Sequence, residues 1–423
     1  MAPEAACACL DALEAAEHRH VAAPLARTFE RLVNLVRVCE RPTFSSLDYV
    51  IRVASTALRR QCEDRILLYP YADLPSEWRA LYTDTLLLCG CAAVQMAGGA
   101  HDKTREFWLE MIRALDTALI VSIRPGETSA THAHRLIAAL QDACGSDTPA
   151  PRSAPKRPRR DEPVTRPHAL YAPIPEQPKL SEDEFVHDGS SAPHGRPFVV
   201  RGYARHWRAM QPAASPRWAD ASYLCGRAGP GRVVPVETGR RYTDRGWGQT
   251  IMAFDAFLEQ IGWTERGGAE RAPLYLAQHT LLTQFPWLAD DLETPEYART
   301  ALRARAEPEP ITSVWLGPEG TDSPAHTDPY FNCYVQVVGA KRVWIAPPDA
   351  DRGGAMRALD ATEADAYRGL MHNTSRLDVF EARAPIPRAM ETVLEPGDLL
   401  FLPPGWWHAM RSLTRSFSVS FWF

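Results

Sequence analysis

His326 and Asp328 stand two residues apart in the stretch ITSVWLGPEGTDSPAHTDPYFNCYVQVVGAKRVWIAPP, residues 311–348. On a strand, side chains at that spacing project to the same face, so one run of backbone offers an imidazole and a carboxylate to a single metal ion. A third ligand has to come from elsewhere. His408, 82 residues after His326 in GDLLFLPPGWWHAM, follows an apolar strand-like run and a Pro-Pro-Gly turn and is the best candidate. Two imidazoles and one carboxylate on one face of an octahedron form the facial triad of non-haem Fe(II) oxygenases, with three positions left for a cosubstrate and dioxygen. His-x-Asp alone is common by chance, and the neighbouring sequence gives it weight. Lys341 opens the run RVWIA after the run NCYVQVV and the Gly339-Ala340 turn. From an adjacent strand it could enter the same barrel as the cation for a dicarboxylate cosubstrate. Taken alone, a lysine there reads more readily as a solvated hairpin residue.

Further residues extend the pattern: Trp315, Ser323, Asn332, the HNTS run 372–375 and the closing SFSVSFWF, and upstream GRPFVVRGYARHW, VPVETGRRYTD and YLAQH. In this order they resemble the JmjC-domain Fe(II)/2-oxoglutarate oxygenases, over roughly the last 240 residues, a span that suits one large domain. More narrowly, they resemble one subfamily of these, whose members hydroxylate an arginine side chain. The resemblance implies a double-stranded β-helix, the cupin/JmjC jelly-roll barrel. It implies Fe(II) held by His326, Asp328 and His408, with 2-oxoglutarate as cosubstrate and dioxygen as oxidant. Lys341 would supply the cation for the remote carboxylate, with Tyr275, Ser323 and Asn332 as hydrogen-bonding helpers and Trp315 as a wall. Without the resemblance, Trp315 and Tyr275 would more often be plain core aromatics.

The elements that must position these residues follow from apolar periodicity. Alternation in ITSVWLG, NCYVQVV, RVWIA, ETVLEP, DLLFLP and SFSVSFWF predicts the many short strands such a barrel needs. FVVRGY, RVVPVETG and LYLAQHTLL read as strands before them, LSEDEF and SPRWADASYLCGRA as helices, and RRYTDRGWGQ as a polar loop. MAFDAFLEQIGW reads as a helix with Met252, Phe254, Phe257, Leu258 and Ile261 on one face. Pro396-Gly397 suits the centre of a type II turn leading into the His408 strand. From Ala5 to about Cys144 the apolar residues recur at helical spacing, as with Leu25, Phe29, Leu32, Val33 and Val36. Residues 1–144 are therefore expected to be an all-α scaffold or interaction domain, either recruiting a partner protein or serving as a cap that stabilises the catalytic domain or mediates self-association. Residues 145–178 are proline-rich and read as a flexible linker, and 179–423 as the catalytic domain with flanking helices. Within the linker the basic cluster PKRPRR, 155–160, reads as a nuclear import signal, a phosphate contact or a solvated charge run.

Substrate choice rests on less. Glu237 follows a strand and Trp247 lies in the loop after it, a pairing suited to a guanidinium, which a carboxylate binds edge-on while an aromatic face stacks on it. With Tyr242 nearby and Gln278 in the strand-like run LYLAQHTLL, they are the candidate contacts to the target arginine of a partner protein. The plainer alternative is a surface carboxylate and a packed rim aromatic. A rival activity is histone methyl-lysine demethylation, although no separate histone-reading motif is seen. A non-catalytic cupin-like scaffold is the alternative from another class. The sequence around His408, PPGWWHAM, follows the general JmjC pattern more closely than the subfamily's, and HTDPYFN departs from it between the ligands.

Composition excludes several roles. A net charge of −5 over 423 residues gives no global reason to bind nucleic acid. The N-terminus lacks a basic region followed by a long apolar core, and TDTLLLCGCAAVQMAGG reads as too short and too broken by glycines to span a membrane. An intracellular location follows, nuclear if the basic cluster acts, or cytoplasmic. Nine cysteines without a C-x-x-C pair read as reduced thiols, with a zinc site the minor alternative.

Overall fold

The computed structural model of the protein describes all residues except 1, 17, 19–22, 39–43, 67, 70–73, 99–102, 124–126, 146–169, 186–194, 213–215, 240, 244–245, 265–272, 306–308, 352–355, 357–372 and 383–384. The basic cluster 155–160 and His372 lie outside the described residues. The protein divides into two compact units, one drawn from residues 1–152 and 228–234 and the other from 153–227 and 235–423.

The first unit is helical: Ala2–Ala15, Ala23–Val38, Phe44–Val53, Arg60–Ile66, Ser76–Ala97, Arg105–Val121 and Thr128–Ala143, with the π-helical stretch Ala54–Arg59 joining the third to the fourth. Leu25, Phe29, Leu32, Val33 and Val36 are all buried, as their spacing requires. Thr104 caps its helix by accepting from the Phe107 N–H. Contrary to the expectation from its glycines, the stretch around Leu86 forms one continuous helix of 22 residues, long and apolar enough by length and composition to cross a membrane. It is instead the core helix of this unit, mostly buried. Gly90 inside it does not interrupt it, because that position serves packing. A Cβ there would lie 3.0–3.2 Å from methyl groups of Leu115 and Leu136 on two neighbouring helices. The described cysteines are all unpaired thiols.

The second unit carries thirteen strands among its described residues: β1 (Ala172–Pro173), β2 (Phe198–Val200), β3 (Val233–Thr238), β4 (Gly248–Ala253), β5 (Leu274–His279), β6 (Ile311–Gly317), β7 (Asp322–His326), β8 (Asn332–Val338), β9 (Lys341–Ala346), β10 (Met390–Leu394), β11 (Leu399–Leu402), β12 (Trp407–Ser412) and β13 (Ser416–Trp422). β3 begins in the segment grouped with the first unit. One sheet runs β1-β10-β9-β12-β7 and the other β2-β11-β8-β13-β6-β5-β3-β4. The β10–β9, β9–β12, β12–β7, β2–β11, β11–β8, β8–β13, β13–β6, β6–β5 and β5–β3 pairings are antiparallel, and the short β1–β10 contact is parallel. This is the expected jelly roll with flanking helices.

Alternation along each strand decides what faces the barrel. On β9, Val343 and Ile345 join Tyr334, Leu400 and Met410 in the buried inner cluster, while Trp344 and Ala346 pack on the outer side with Trp407 and Ala409. Lys341 therefore shares the inner face. Glu395 to Asp398 forms the expected turn, with Gly397 at φ 96 and the Asp398 N–H donating to the Glu395 carbonyl at 3.0 Å.

Two readings of the sequence are corrected here. Met252 belongs to strand β4, and the helix starts only at Phe254 and ends at Gln260; the polar GQT half of that edge strand hides its period. Residues 170–178, read as part of the flexible linker, are built onto the barrel. Tyr171 and Ile174 are buried, and the Val199 N–H donates to the Pro175 carbonyl at 2.9 Å. Prolines are tolerated there because an edge segment needs few ladder donors.

β13 lies between β6 and β8, so the last residues close the larger sheet. Ser420, Phe421 and Trp422 pair with Ser313, Thr312 and Ile311 on one side and with Tyr334, Cys333 and Asn332 on the other. Phe421 and Phe423 are buried. Losing one buried phenylalanine ring typically removes about 3–5 kcal/mol, against a total stability of about 5–15 kcal/mol. Deletion of residues 420–423 is therefore expected to abolish the cooperative thermal transition of the second unit. A melt within a few degrees of the undeleted protein's would contradict this.

Candidate active site

β7 ends at His326, so strand alternation does not place Asp328, which lies two residues past the strand end. Backbone contacts hold it instead. The Thr327 N–H donates to the Asn373 carbonyl at 3.1 Å, the Ser375 N–H to the Ala325 carbonyl at 2.7 Å, and the Gly405 N–H to the Asp328 carbonyl at 2.8 Å. The Asn373 side-chain amide donates back to the Thr327 carbonyl at 2.8 Å. His408 on β12 stands directly opposite His326 in the register. Asp328 Oδ2 then lies 3.4 Å from His408 Nε2 and 3.9 Å from His326 Nε2. The three donor atoms fall within 4.8 Å of one another, the one such cluster among the described residues.

Protonation states suit a cation. His326 Nδ1 lies 2.8 Å from the Pro324 carbonyl, and His408 Nδ1 lies 3.1 Å from the Trp406 carbonyl. A carbonyl only accepts, so each Nδ1 carries the proton and each Nε2 presents its lone pair to the shared point. Burial, reinforced by the His408 ring, lowers the His326 pKa to about 4 against the pull of Asp328. His326 is thus neutral near pH 7. Burial pushes the Asp328 carboxyl up, but the attraction of the imidazoles beside it, His408 first, outweighs that and holds it below the usual range. Two neutral nitrogens and one carboxylate oxygen fit a divalent metal with open positions, as in the Fe(II) facial triad.

Deeper in the same face sits Lys341, 1% exposed. This overturns the plain reading of it as a solvated hairpin residue. Its ammonium donates to the Tyr334 hydroxyl at 2.8 Å and to the Tyr275 hydroxyl at 3.1 Å. No carboxylate pairs with it among the described residues, and burial lowers its pKa to about 7. A buried ammonium beside neutral phenols is suited to pair with an incoming anion. Tyr275 also hydrogen-bonds Ser323. Asn332 is buried with no partner on its Oδ1. The Trp315 indole N–H donates to Ser420 at 3.3 Å, and its ring lies 6.0 Å from that of Tyr275. Lys341 pairs with Ser412, and Ile345 with His408. The four residue steps from one pair to the other separate them by about 13 Å along the strand, a span that an extended lysine and a five-carbon dicarboxylate can share.

A bulge in the β7–β12 pairing lets both Ser323 and His326 face inward although they are three apart: Met410 pairs with Ser323, and His408 with His326. Sequence reasoning missed Tyr334, whose signal was its place two residues after Asn332 on one strand face. It also assigned no role to Thr374, whose backbone bridges to His326.

The candidate substrate contacts are brought together in part. Glu237 faces Tyr275 across β3 and β5. The Trp247 indole N–H donates to Glu237 Oε2 at 3.2 Å, so this ring meets the carboxylate by its edge. Burial raises the Glu237 pKa to about 7, with the Trp247 hydrogen bond pulling the other way. The Tyr242 hydroxyl lies 3.3 Å from that of Thr374. Gln278 stands apart from them: it is exposed, in left-handed backbone at φ 50, beside a bulge in the β5–β6 pairing. A separate cavity of about 350 Å³ lies on the outer side of β7 and β12, lined by Arg241, Asp322, Ala325, Asp378 and Ala409 among others. None of the three metal donors lines it.

The family model of the cupin-like domain matches residues 187–423. The match spans more than half of the protein, which therefore belongs to this family, in its JmjC branch. Within that branch it is similar to Jumonji C domain-containing protein 5 of Drosophila melanogaster, 34% identical over 268 residues that cover 62% of each of the two proteins. It is also similar to Lysine-specific demethylase 8 of Xenopus tropicalis, 35% identical over 237 residues, or 54% of this protein and 48% of the relative. The protein thus spans about half to three-fifths of the length of these two relatives. Lysine-specific demethylase 8 of Danio rerio is 30% identical over 371 residues, 85% of this protein and 84% of the relative. That last alignment reaches well into the helical unit, which the motif-poor first third of the sequence did not suggest.

Proposed function

We propose that this protein is an Fe(II)- and 2-oxoglutarate-dependent protein hydroxylase that oxidises a C–H bond in an arginine residue of a partner protein, with succinate and CO2 as coproducts. The observation that carries the oxygenase part is the buried Lys341 ammonium, with no carboxylate partner among the described residues, on the same inner face as three converging metal donors. His326, Asp328 and His408 would hold the iron, which with its cosubstrate and dioxygen supplies the oxidising step. Lys341 fixes the remote carboxylate of 2-oxoglutarate, and Tyr275, Tyr334 and Asn332 complete its hydrogen bonds. Trp315 and the inner aliphatic cluster exclude water, which strengthens each of these polar contacts.

For the substrate, a half-buried carboxylate held by an indole suits a guanidinium, which can bind Glu237 edge-on. At pH values above about 7 Glu237 is ionised, so arginine binding tightens as pH rises through that value. Glu237→Ala is expected to lower the yield of singly oxygenated arginyl peptide about 10- to 100-fold, the loss of one buried charge-assisted pair. Succinate released without peptide should be unchanged. Mass spectrometry of peptides incubated with Fe(II) and 2-oxoglutarate reads both, and equal oxygenation by the variant would reject the arginine assignment.

The names of the Xenopus and Danio relatives favour a second activity, demethylation of a lysine; on that reading the partner would be a histone and the 155–160 cluster a nuclear import signal. Formaldehyde release distinguishes it from hydroxylation. Recruitment of the partner protein is the role proposed for the helical unit.

A further inference from the structure

We propose that Arg241 is a positioning residue that fixes the Glu237–Trp247 pocket against the metal-bearing strand, and so governs how tightly a guanidinium-bearing substrate is held and not the oxidising step. This builds on the assignment of that pocket to arginine. Arg241 lies four residues after Glu237 and six before Trp247. Its Nε donates to Asp322 Oδ2 at 3.0 Å, its Nη2 lies 2.8 Å from the same oxygen, and its Nη1 lies 2.5 Å from Asp378.

Asp322 is 4% exposed and sits on β7, four residues before His326. Its oxygen is shared with Arg411 of β12, at 2.8 Å, and the Arg411 guanidinium lies 4.6 Å over the Phe380 ring. Arg241 thus docks onto an ion cluster anchored on the two strands that carry His326 and His408. The next residue, Tyr242, is joined to Thr374, whose backbone bridges to His326. Two consecutive side chains therefore pin the loop after β3 to both sides of the 373–378 segment that borders the metal site.

An exposed Arg–Asp pair would contribute little. Here the acceptor is buried and the guanidinium is forked over two carboxylates, the geometry in which arginine outperforms lysine. Removing Arg241 does not strand Asp322, because Arg411 still neutralises it. The barrel should therefore stay folded while the loop loses its anchor.

The test compares wild type, Arg241→Ala and Arg241→Lys, using Fe(II), 2-oxoglutarate and a synthetic pentapeptide with one central arginine. The KM for the peptide should rise about 10-fold in Arg241→Ala and less in Arg241→Lys, which restores one contact of the fork. The KM for 2-oxoglutarate and peptide-independent succinate release should stay within about twofold of wild type. Hydrogen exchange should quicken over 237–247 and not over 332–346. An unchanged peptide KM, or peptide-independent turnover and 2-oxoglutarate affinity falling together, would overturn the proposal. If wild type oxidises no arginyl peptide, the arginine assignment fails, and hydrogen exchange still decides the tether: local loosening in Arg241→Ala that Arg241→Lys partly reverses sustains it, and unaltered or uniform exchange removes it.

Discussion

Asp328→Ala is expected to lower succinate release and substrate oxidation together by at least about 100-fold, since even residues that only support a metal ligand are worth 10- to 100-fold. Asp328 is the one anion of the three donors, and its Oδ2 lies within 4 Å of both imidazole Nε2 atoms. Without it, two neutral nitrogens face each other with no charge to hold a divalent ion. The fold should survive, because the backbone of this segment is fixed by the Thr327–Asn373 and Gly405–Asp328 hydrogen bonds, which do not involve the carboxylate. A coupled succinate assay checks the activity, and a thermal melt confirms folding. Retention of more than a tenth of wild-type turnover would mean that the carboxylate is not a ligand.

Lys341→Met is expected to raise the KM for 2-oxoglutarate roughly 100- to 4,000-fold, because stranding a buried carboxylate by removing its partner typically costs about 3–5 kcal/mol. The same change should stabilise the ligand-free protein, which then no longer buries an unneutralised ammonium. The pH dependence gives the sign. The Lys341 pKa is about 7 in the folded protein against 10.5 ordinarily, so between those values the unfolded protein binds more protons. The penalty is full below about pH 7 and shrinks as pH rises towards 10.5, so wild-type stability gains with pH across that window. Lys341→Met should lack this gain, and melts at a series of pH values compare the two. An unaltered KM for 2-oxoglutarate would place the dicarboxylate elsewhere.

The sequence made the barrel legible because short apolar runs, alternating with serine in β13 and continuous in β11, mark strands directly. The three donors were legible because imidazole and carboxylate carry their chemistry in the residue type. What alternation could not reveal was how Asp328 is held. It lies past the strand end, and the 373–375 segment that fixes it is distant in sequence. Nor does a lysine at a hairpin announce its burial: only the face shared with Val343 and Ile345 does. Tyr334 was hidden among apolar neighbours in a fully buried strand, where a phenol reads as core. Thr374 and Arg241 were invisible as partners because their contacts join segments from dozens to more than a hundred residues apart in the sequence. Gln278 was drawn in by its place on a good strand, and the bulge and left-handed backbone there turn it away to solvent.

The most direct measurement is anomalous diffraction at the iron edge from crystals of the 423-residue protein loaded anaerobically with Fe(II) and 2-oxoglutarate. A single iron peak is expected within bonding distance of Nε2 of His326, Nε2 of His408 and a carboxylate oxygen of Asp328, with the far carboxylate of the cosubstrate on the Lys341 ammonium. An iron peak bound by other residues, or none at saturating metal, would contradict the account.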